Sequence, residues 1–488
     1  MVVHLFTIKS VGVSQALSGS IKEPIGLFQL ISRSENPFAN EIMALKLMQT
    51  LISKASEFKQ PEKVEKDEIE VIDLARTKVK FSEGYSLPPR FSDFGSDLTI
   101  EGEVNFHKPL AEIAKHLKSQ DPDTAKLQKI ALCIRAVLAG TSDATGFGQV
   151  VSPKAGYRGL KSTQYKRQLG LYTTPDSLGG DTAEFSSWLT TLLAKLLRWP
   201  GIRVNDQGYS WPRVLTLEAV EQLITERLGL FKVNYCQLSG MPSLPERISP
   251  SWDKQKSSLT VAMVQSKLPY KDDFAQYGKF LDDPNYRTKH RRHIARVASL
   301  VMRHIEAQHI EKPNNGEREQ DIDLIVWPEL AVHKDDMDIL IQLSRKTHAI
   351  IFAGLGFIQQ DGIKGPNNCA VWIVPRKHNG NQNEIKRYQG KHHMMADEKK
   401  ASIEPWRPYQ FMLELVHPKY QNEKGFVITG AICFDATDIK LSADLSNKSN
   451  CLLIPALNRD VNTFDSMVEA LHYHIYQPVV LVNTGEFG

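Results

Sequence analysis

The sequence predicts an α/β protein in which a layered C-terminal half follows a mainly α-helical N-terminal region. Three observations carry this. From about residue 38 to 235 the apolar residues recur mostly at helical spacing, whereas from residue 259 onward strand-like apolar runs alternate with amphipathic stretches. Between them, the Pro/Ser-rich segment 241–258 (MPSLPERISPSWDKQKSS) reads as a boundary, giving domains 1–250 and 259–488. At roughly 150 residues per domain, a chain of 488 residues has length for two to four domains and ample core.

In the first half, residues 124–138 place Leu127, Ile130, Ala131, Ile134, Val137 and Leu138 on one helical face, with Asp121-Pro122 as a start signal. A second amphipathic stretch, 185–197, carries Phe185, Trp188, Leu189, Leu192, Leu193 and Leu196. A third, 216–230, carries Leu217, Val220, Leu223, Ile224 and Leu228 behind Thr216, a suitable N-cap. The second half reads as strand 259–265, helix 286–307, strand 323–327, helix 337–346, and strands 349–357, 369–374, 384–389, 426–432 and 450–457. Helix 464–475 and strand 479–483 complete the series.

Composition narrows the function. Charged residues make up 24% of the chain and the net charge is +4, too small to argue for nucleic acid by itself. No apolar run approaches the ~18 residues that span a bilayer, and the opening MVVHLFTIKSVG lacks the basic start of a secretory signal. The five cysteines are scattered without a CxxC pair, so they read as reduced thiols in a cytoplasmic protein.

Three reactive side chains share one local context. Glu329 closes the run DLIVWPE, Lys391 closes EIKRYQGK, and Cys433 closes FVITGAIC. Ends of strands are where functional groups converge in layered α/β proteins. A carboxylate, an ammonium and a thiol together make an acyl-transfer set: base, oxyanion partner and nucleophile. In order, VAMVQ, IVWPELA, RYQGKHHM and GAICFD resemble the signature of the nitrilase superfamily of carbon–nitrogen hydrolases, over about residues 259 to 488. The resemblance implies an αββα sandwich, Glu329 as general base, Lys391 as oxyanion stabiliser and Cys433 as nucleophile. It also implies an amide or nitrile as substrate, a thioester intermediate, no cofactor and a homodimer of stacked sandwiches. Glu398 stands roughly where that family often keeps an auxiliary carboxylate, and Glu404 competes for the role.

The sequence departs from that pattern in two places. Ala436-Thr437-Asp438-Ile439 follows Phe434-Asp435 where a Pro-Glu is common, and Met394-Met395 replaces a common Leu. Gly488 falls where family members continue with a turn and further strands, so the domain reads as C-terminally incomplete. A metal reading of His392, His393 and Asp397 lacks a supporting ligand spacing, and His472 and His474 read as structural. The layout also loosely resembles nitrilase-fused bacterial antiviral reverse transcriptases, which makes a binding or regulatory module the alternative to an enzyme. No YxDD signature occurs in residues 1–258, and the basic stretches 285–296 and 142–170 are then the candidate nucleic-acid contacts.

Overall fold

The structure, a computed structural model, describes residues 23–32, 36–58, 77–82, 98–101, 122–140, 174–197, 204–311, 322–360, 363–378, 381–421 and 423–486. The basic loop 142–170 and the charged connector beyond Phe58 lie outside the described residues.

Helical spacing in the first half produces helices Glu41–Ser53, Pro122–Ala139, Ser187–Leu196 and Leu217–Asn234. Their starts are fixed by side-chain caps. Asn40 accepts from Met43 N, Ser186 from Trp188 N and Thr216 from Ala219 N, each satisfying an amide that the first turn leaves unpaired. Strands β1 (Ile25–Gly26), β2 (Lys78–Phe81) and β3 (Leu98–Glu101) add an antiparallel sheet beside the helices. The sequence reading did not include it, because strands of two to four residues are too short for alternation to register.

The second half forms two five-stranded sheets. One contains β4 (Ser243–Ile248) and the other contains β5 (Val261–Met263), β6 (Leu324–Val332), β7 (Ile350–Gln359), β8 (Pro366–His378) and β9 (Asn381–Gly390) in that order. Strands β10 (Gln410–Leu415), β11 (Phe426–Gly430), β12 (Cys451–Pro455) and β13 (Val479–Val482) complete the β4 sheet in the order β13-β12-β11-β10-β4. The segment read as a linker therefore contributes a strand: Ser243–Ile248 pairs in parallel with Gln410–Leu415 along its whole length. Its Pro245 is compatible with this because β4 is an edge strand.

Period-two alternation along the strands sorts side chains into layers. Leu324, Val326, Phe352, Trp372 and Val374 point inward and meet Phe411, Leu413, Ile428 and Leu453 of the other sheet. The alternate residues Ile325, Trp327, Ile351, Val371 and Ile373 pack under helices Pro284–Glu311 and Met337–Thr347 through Ile294, Ala298, Leu340 and Leu343. On the far side, Val427, Leu452 and Ile454 pack under Leu441, Leu445, Leu471 and Ile475 of helices Ile439–Leu445 and Val461–Ile475. The order of layers is helices, sheet, sheet, helices.

The N-terminal helices share one core with the inter-sheet space. Polar contacts fix the junction at the edge strands β4 and β9. Arg227 donates to Glu41 (2.7 Å), Ser186 Oγ (2.7 Å) and Pro245 O (2.7 Å). Glu246 accepts from Ser187 N and Tyr209 OH, and Tyr388 N donates to Asp181 O. Edge strands expose unpaired backbone, and the N-terminal region covers part of both edges.

Candidate active site

Each reactive side chain is placed by a local break in regular structure. Strand β6 is buried at every position, yet its pairing with β7 shifts register between Trp327 and Val332, and Leu330 has φ 56°. A bulge of this kind re-aims a side chain, here Glu329. Gly354 on β7 makes room for it: a Cβ there would lie 2.3 Å from Pro328 O and 2.5 Å from Glu329 Cα. Lys391 follows β9, held by its N–H to Asn368 O (2.8 Å) and its carbonyl to Trp406 N (2.9 Å). Cys433 opens a 3₁₀ turn, Cys433–Thr437, with φ 46°. That conformation is unfavourable for a side-chain-bearing residue. Asp435 anchors the turn, accepting from His392 N (3.0 Å), His393 N (2.7 Å) and Arg407 Nη1 (3.0 Å).

These breaks bring four residues together. Lys391 Nζ lies 2.8 Å from Glu329 Oε1 and 2.8 Å from Glu398 Oε2. Asn368 Nδ2 bridges the same two carboxylates, at 2.7 Å from each. Leu457 N donates to Glu329 Oε2 (3.0 Å) and Met395 N to Glu398 Oε2 (2.8 Å). Glu329, Lys391 and Cys433 are 3%, 1% and 0% exposed, while the Glu398 side chain reaches solvent at 14%. A cavity of about 520 Å³, lined by His392, His393, Arg407, Phe434 and Asp438 among others, adjoins the turn that carries Cys433.

The electrostatics follow from burial and partners. Burial pushes the Cys433 thiol well above its ordinary value, and the Glu329 charge beside it adds to this more than Lys391 offsets. Cys433 is therefore a neutral thiol with the Glu329 carboxylate in hydrogen-bonding contact, not a preformed thiolate. For Lys391, burial works against its charge, but Glu329, Cys433 and Glu398 outweigh it and raise the ammonium above its ordinary range. Lys391 stays a cation, hydrogen-bonded to acceptors on both sides.

Of the two auxiliary carboxylates considered, Glu398 joins the cluster, whereas Glu404 pairs through its backbone with Asn367. Asn368 went unnoticed in the sequence. Its signal was a polar residue at the head of the otherwise apolar run CAVWIV, one position before Cys369. Arg407 and Asp435 form a second buried ion pair behind the site, and Arg407 also reaches Gln410 and Gly430 O. His393 pairs with Asp438 (3.0 Å), and Asp397 lies 3.9 Å from Lys400. Among the described residues the grouping that could hold a metal ion is instead Asp282, His333 and Asp335, whose ligand atoms lie within 4.8 Å of one another. His472 Nδ1 donates to Gln477 O (2.9 Å) just past its own helix end, and His474 lines a cavity with Phe426 and Tyr476. In the basic stretch 285–296, Arg287 and Arg291 are engaged by Asp336 and Asp338.

No protein-family model matches the chain, and no curated protein matches it. Solved structures do. An amidase from Nesterenkonia sp. is 12% identical, with a TM-score of 0.32, covering 47% of this chain and 76% of its own. A mutant of the Nesterenkonia AN1 amidase, from the nitrilase superfamily, is likewise 12% identical, with a TM-score of 0.29, covering 39% of this chain and 71% of its own. Another neighbour is a CN-hydrolase superfamily protein from Xanthomonas campestris with an arsenic adduct in its active site; it is 15% identical, with a TM-score of 0.31, covering 47% of this chain and 77% of its own. Among the described residues no helix is long and apolar enough to cross a membrane.

Proposed function

We propose that the C-terminal half hydrolyses a non-peptide carbon–nitrogen bond, in an amide or a nitrile, with Cys433 as nucleophile, Glu329 as base and Lys391 as oxyanion partner. The observation that supports it best is the buried cluster itself. A thiol, a carboxylate and an ammonium, drawn from the bulge in β6 and from the segments that follow β9 and β11, converge with Lys391 held at 2.8 Å from Glu329. Structural cores rarely gather such groups, because each charge costs several kcal/mol to desolvate unless it is paired.

The chemistry follows from the positions. Glu329 takes the proton of the neutral thiol as sulfur attacks the carbonyl carbon, so thiolate forms only as the bond is made. Negative charge then develops on the carbonyl oxygen, and Lys391 donates to it in a site from which water is excluded. The protonated Glu329 gives its proton to the departing nitrogen, ammonia leaves, and a thioester remains on Cys433. Water attacks the thioester with a carboxylate of the cluster as base, releasing the acid and restoring the thiol. Glu398, the carboxylate that reaches solvent, orients Lys391 and stands where that water enters. Because Cys433 is enclosed, substrate arrives from the cavity beside Phe434 and His392 by displacement of those side chains.

The test is ammonia release from a panel of aliphatic and aromatic amides and nitriles. Wild-type protein is expected to release it and Cys433→Ala to fall by at least about 10³-fold. Absence of release from the wild type across the panel would overturn the assignment.

A further inference from the structure

At the other end of the strands lies a buried cation with only one of its three nitrogens hydrogen-bonded among the described residues. Arg376, near the end of β8, is 6% exposed. Its Nε donates to Gln207 Oε1 at 2.7 Å, but neither Nη1 nor Nη2 has a hydrogen-bond partner among the described residues. Arg376 is among the residues lining a cavity of about 140 Å³. An unpaired buried guanidinium costs several kcal/mol, and burial lowers the affinity of Arg376 for its proton, against the distant pull of Glu246, Tyr209 and Asp176.

The surrounding chain holds that guanidinium in place instead of relieving it. Gln207 and Gly208 both adopt left-handed backbone, φ 58° and 81°. A Cβ at Gly208 would meet Ser249 Oγ at 2.8 Å, so the loop lies tight against the 248–252 segment. This strained turn delivers the Gln207 oxygen to the Arg376 Nε and leaves the two-nitrogen edge facing the cavity. The same cavity contains Asp323. Its Oδ2 is taken by Thr260 N (2.8 Å) and Lys256 Nζ (3.1 Å), while buried Oδ1 makes no well-formed hydrogen bond, with the Trp252 indole N–H, itself unpaired, as its neighbouring donor.

The vacant donors and acceptor define the ligand. The fork of Nη1 and Nη2 matches two oxygens of a compact oxyanion. A fully ionised anion leaves Asp323 Oδ1 facing like charge, whereas one that keeps an O–H can donate to it. We propose that Arg376 and Asp323 form a binding site for a protonated phosphate group, as the free ion or as a small monoester. The site is separate from the Glu329–Lys391–Cys433 cluster: Asp323 immediately precedes β6 and Glu329 lies six residues further along it, about 20 Å away at roughly 3.3 Å per residue. It does not depend on the hydrolase assignment.

The full chain would be titrated by calorimetry at neutral pH and fixed ionic strength with inorganic phosphate, methyl phosphate and sulfate, with thermal unfolding in parallel. Saturable binding of phosphate, a rise in Tm of about 2 °C at tenfold excess over Kd, and at least tenfold weaker binding of sulfate are expected. Binding of methyl phosphate as well identifies a monoester site, and its exclusion identifies a site for the free ion. Arg376→Met should retain or raise the Tm without phosphate and lose the phosphate response, and Asp323→Asn should narrow the gap between phosphate and sulfate. No saturable binding to the wild type, sulfate binding as tightly as phosphate, or an unchanged response in Arg376→Met overturns the proposal. The wild-type comparison of phosphate with sulfate stands alone if either variant fails to fold.

Discussion

Lys391 and Arg376 are both buried cations on the same five-stranded sheet, and they are treated in opposite ways. Lys391 has carboxylate oxygens at 2.8 Å from two directions, with Asn368 tying the two carboxylates together. Arg376 has one neutral oxygen on Nε and two empty nitrogens. Burial does not by itself mark a functional cation; its partners decide which role is open to it. Where acceptors saturate the charge, as at Lys391, the cation is fixed as part of a reacting set. Where they are missing among the described residues, as at Arg376, the proposed role is to receive an acceptor from outside.

The sharpest way to break this comparison is to remove each charge in turn. Lys391→Met leaves Glu329 and Glu398 facing each other in a buried site without a counter-ion, and a loss of about 3–5 kcal/mol in denaturant unfolding is expected, together with loss of activity. Arg376→Met removes a charge that lacked a partner, so its stability without phosphate should be neutral or higher. Equal destabilisation by the two substitutions contradicts the distinction drawn between them.

A smaller effect is expected one layer out. Gly354→Ala drives a Cβ toward the backbone of Pro328 and Glu329. It should cost about 1–3 kcal/mol in stability and, by displacing Glu329, about 10²-fold in kcat. Glu398→Gln preserves shape and one acceptor for Lys391. A fall in kcat of about tenfold with under ~1 kcal/mol change in stability is expected; a steady-state assay beside denaturant unfolding separates the two.

The pH dependence distinguishes the ends most gently. The Lys391 ammonium is held above its ordinary pKa, so the stability it contributes is complete below the unfolded value of about 10.4 and is lost as pH rises through the higher folded value. Arg376 gains no such stability, because burial lowers its hold on the proton where that of Lys391 is raised. Unfolding midpoints of wild-type protein should fall between about pH 10 and 12, and Lys391→Met should flatten that fall. Acid acts elsewhere. Burial opposes the Asp336 carboxylate, but hydrogen bonds from His290, Arg287 and Arg291 hold it well below the usual range, so its stability is lost as pH drops below about 3.9.

Much of this geometry was readable from the order of residues. Glu329, Lys391 and Cys433 stood out because each comes at the downstream end of a strand-like run, apolar before Glu329 and Cys433 and more polar before Lys391. The strands that carry them were legible for the same reason. Three features were not. Strand β4 hid inside a Pro/Ser-rich segment, since its pairing partner lies more than 150 residues away and Pro245 reads locally as a breaker. The Asn368 bridge depends on a side chain whose meaning appears only when Glu329 and Glu398 are brought to it. Nothing local in the sequence marks Arg376 as buried; its hydrogen-bond partner Gln207 lies 169 residues away.

The central claim is that Cys433 attacks an acyl carbon within this cluster. It is tested most directly by quenching wild-type protein during turnover of an amide that releases ammonia, then mapping the peptides by mass spectrometry. The account predicts the mass of the acyl group on the peptide containing Cys433, and its absence when Cys433→Ala is treated alike. Ammonia release with no acyl mass on Cys433, or with the acyl group on another residue, would contradict it.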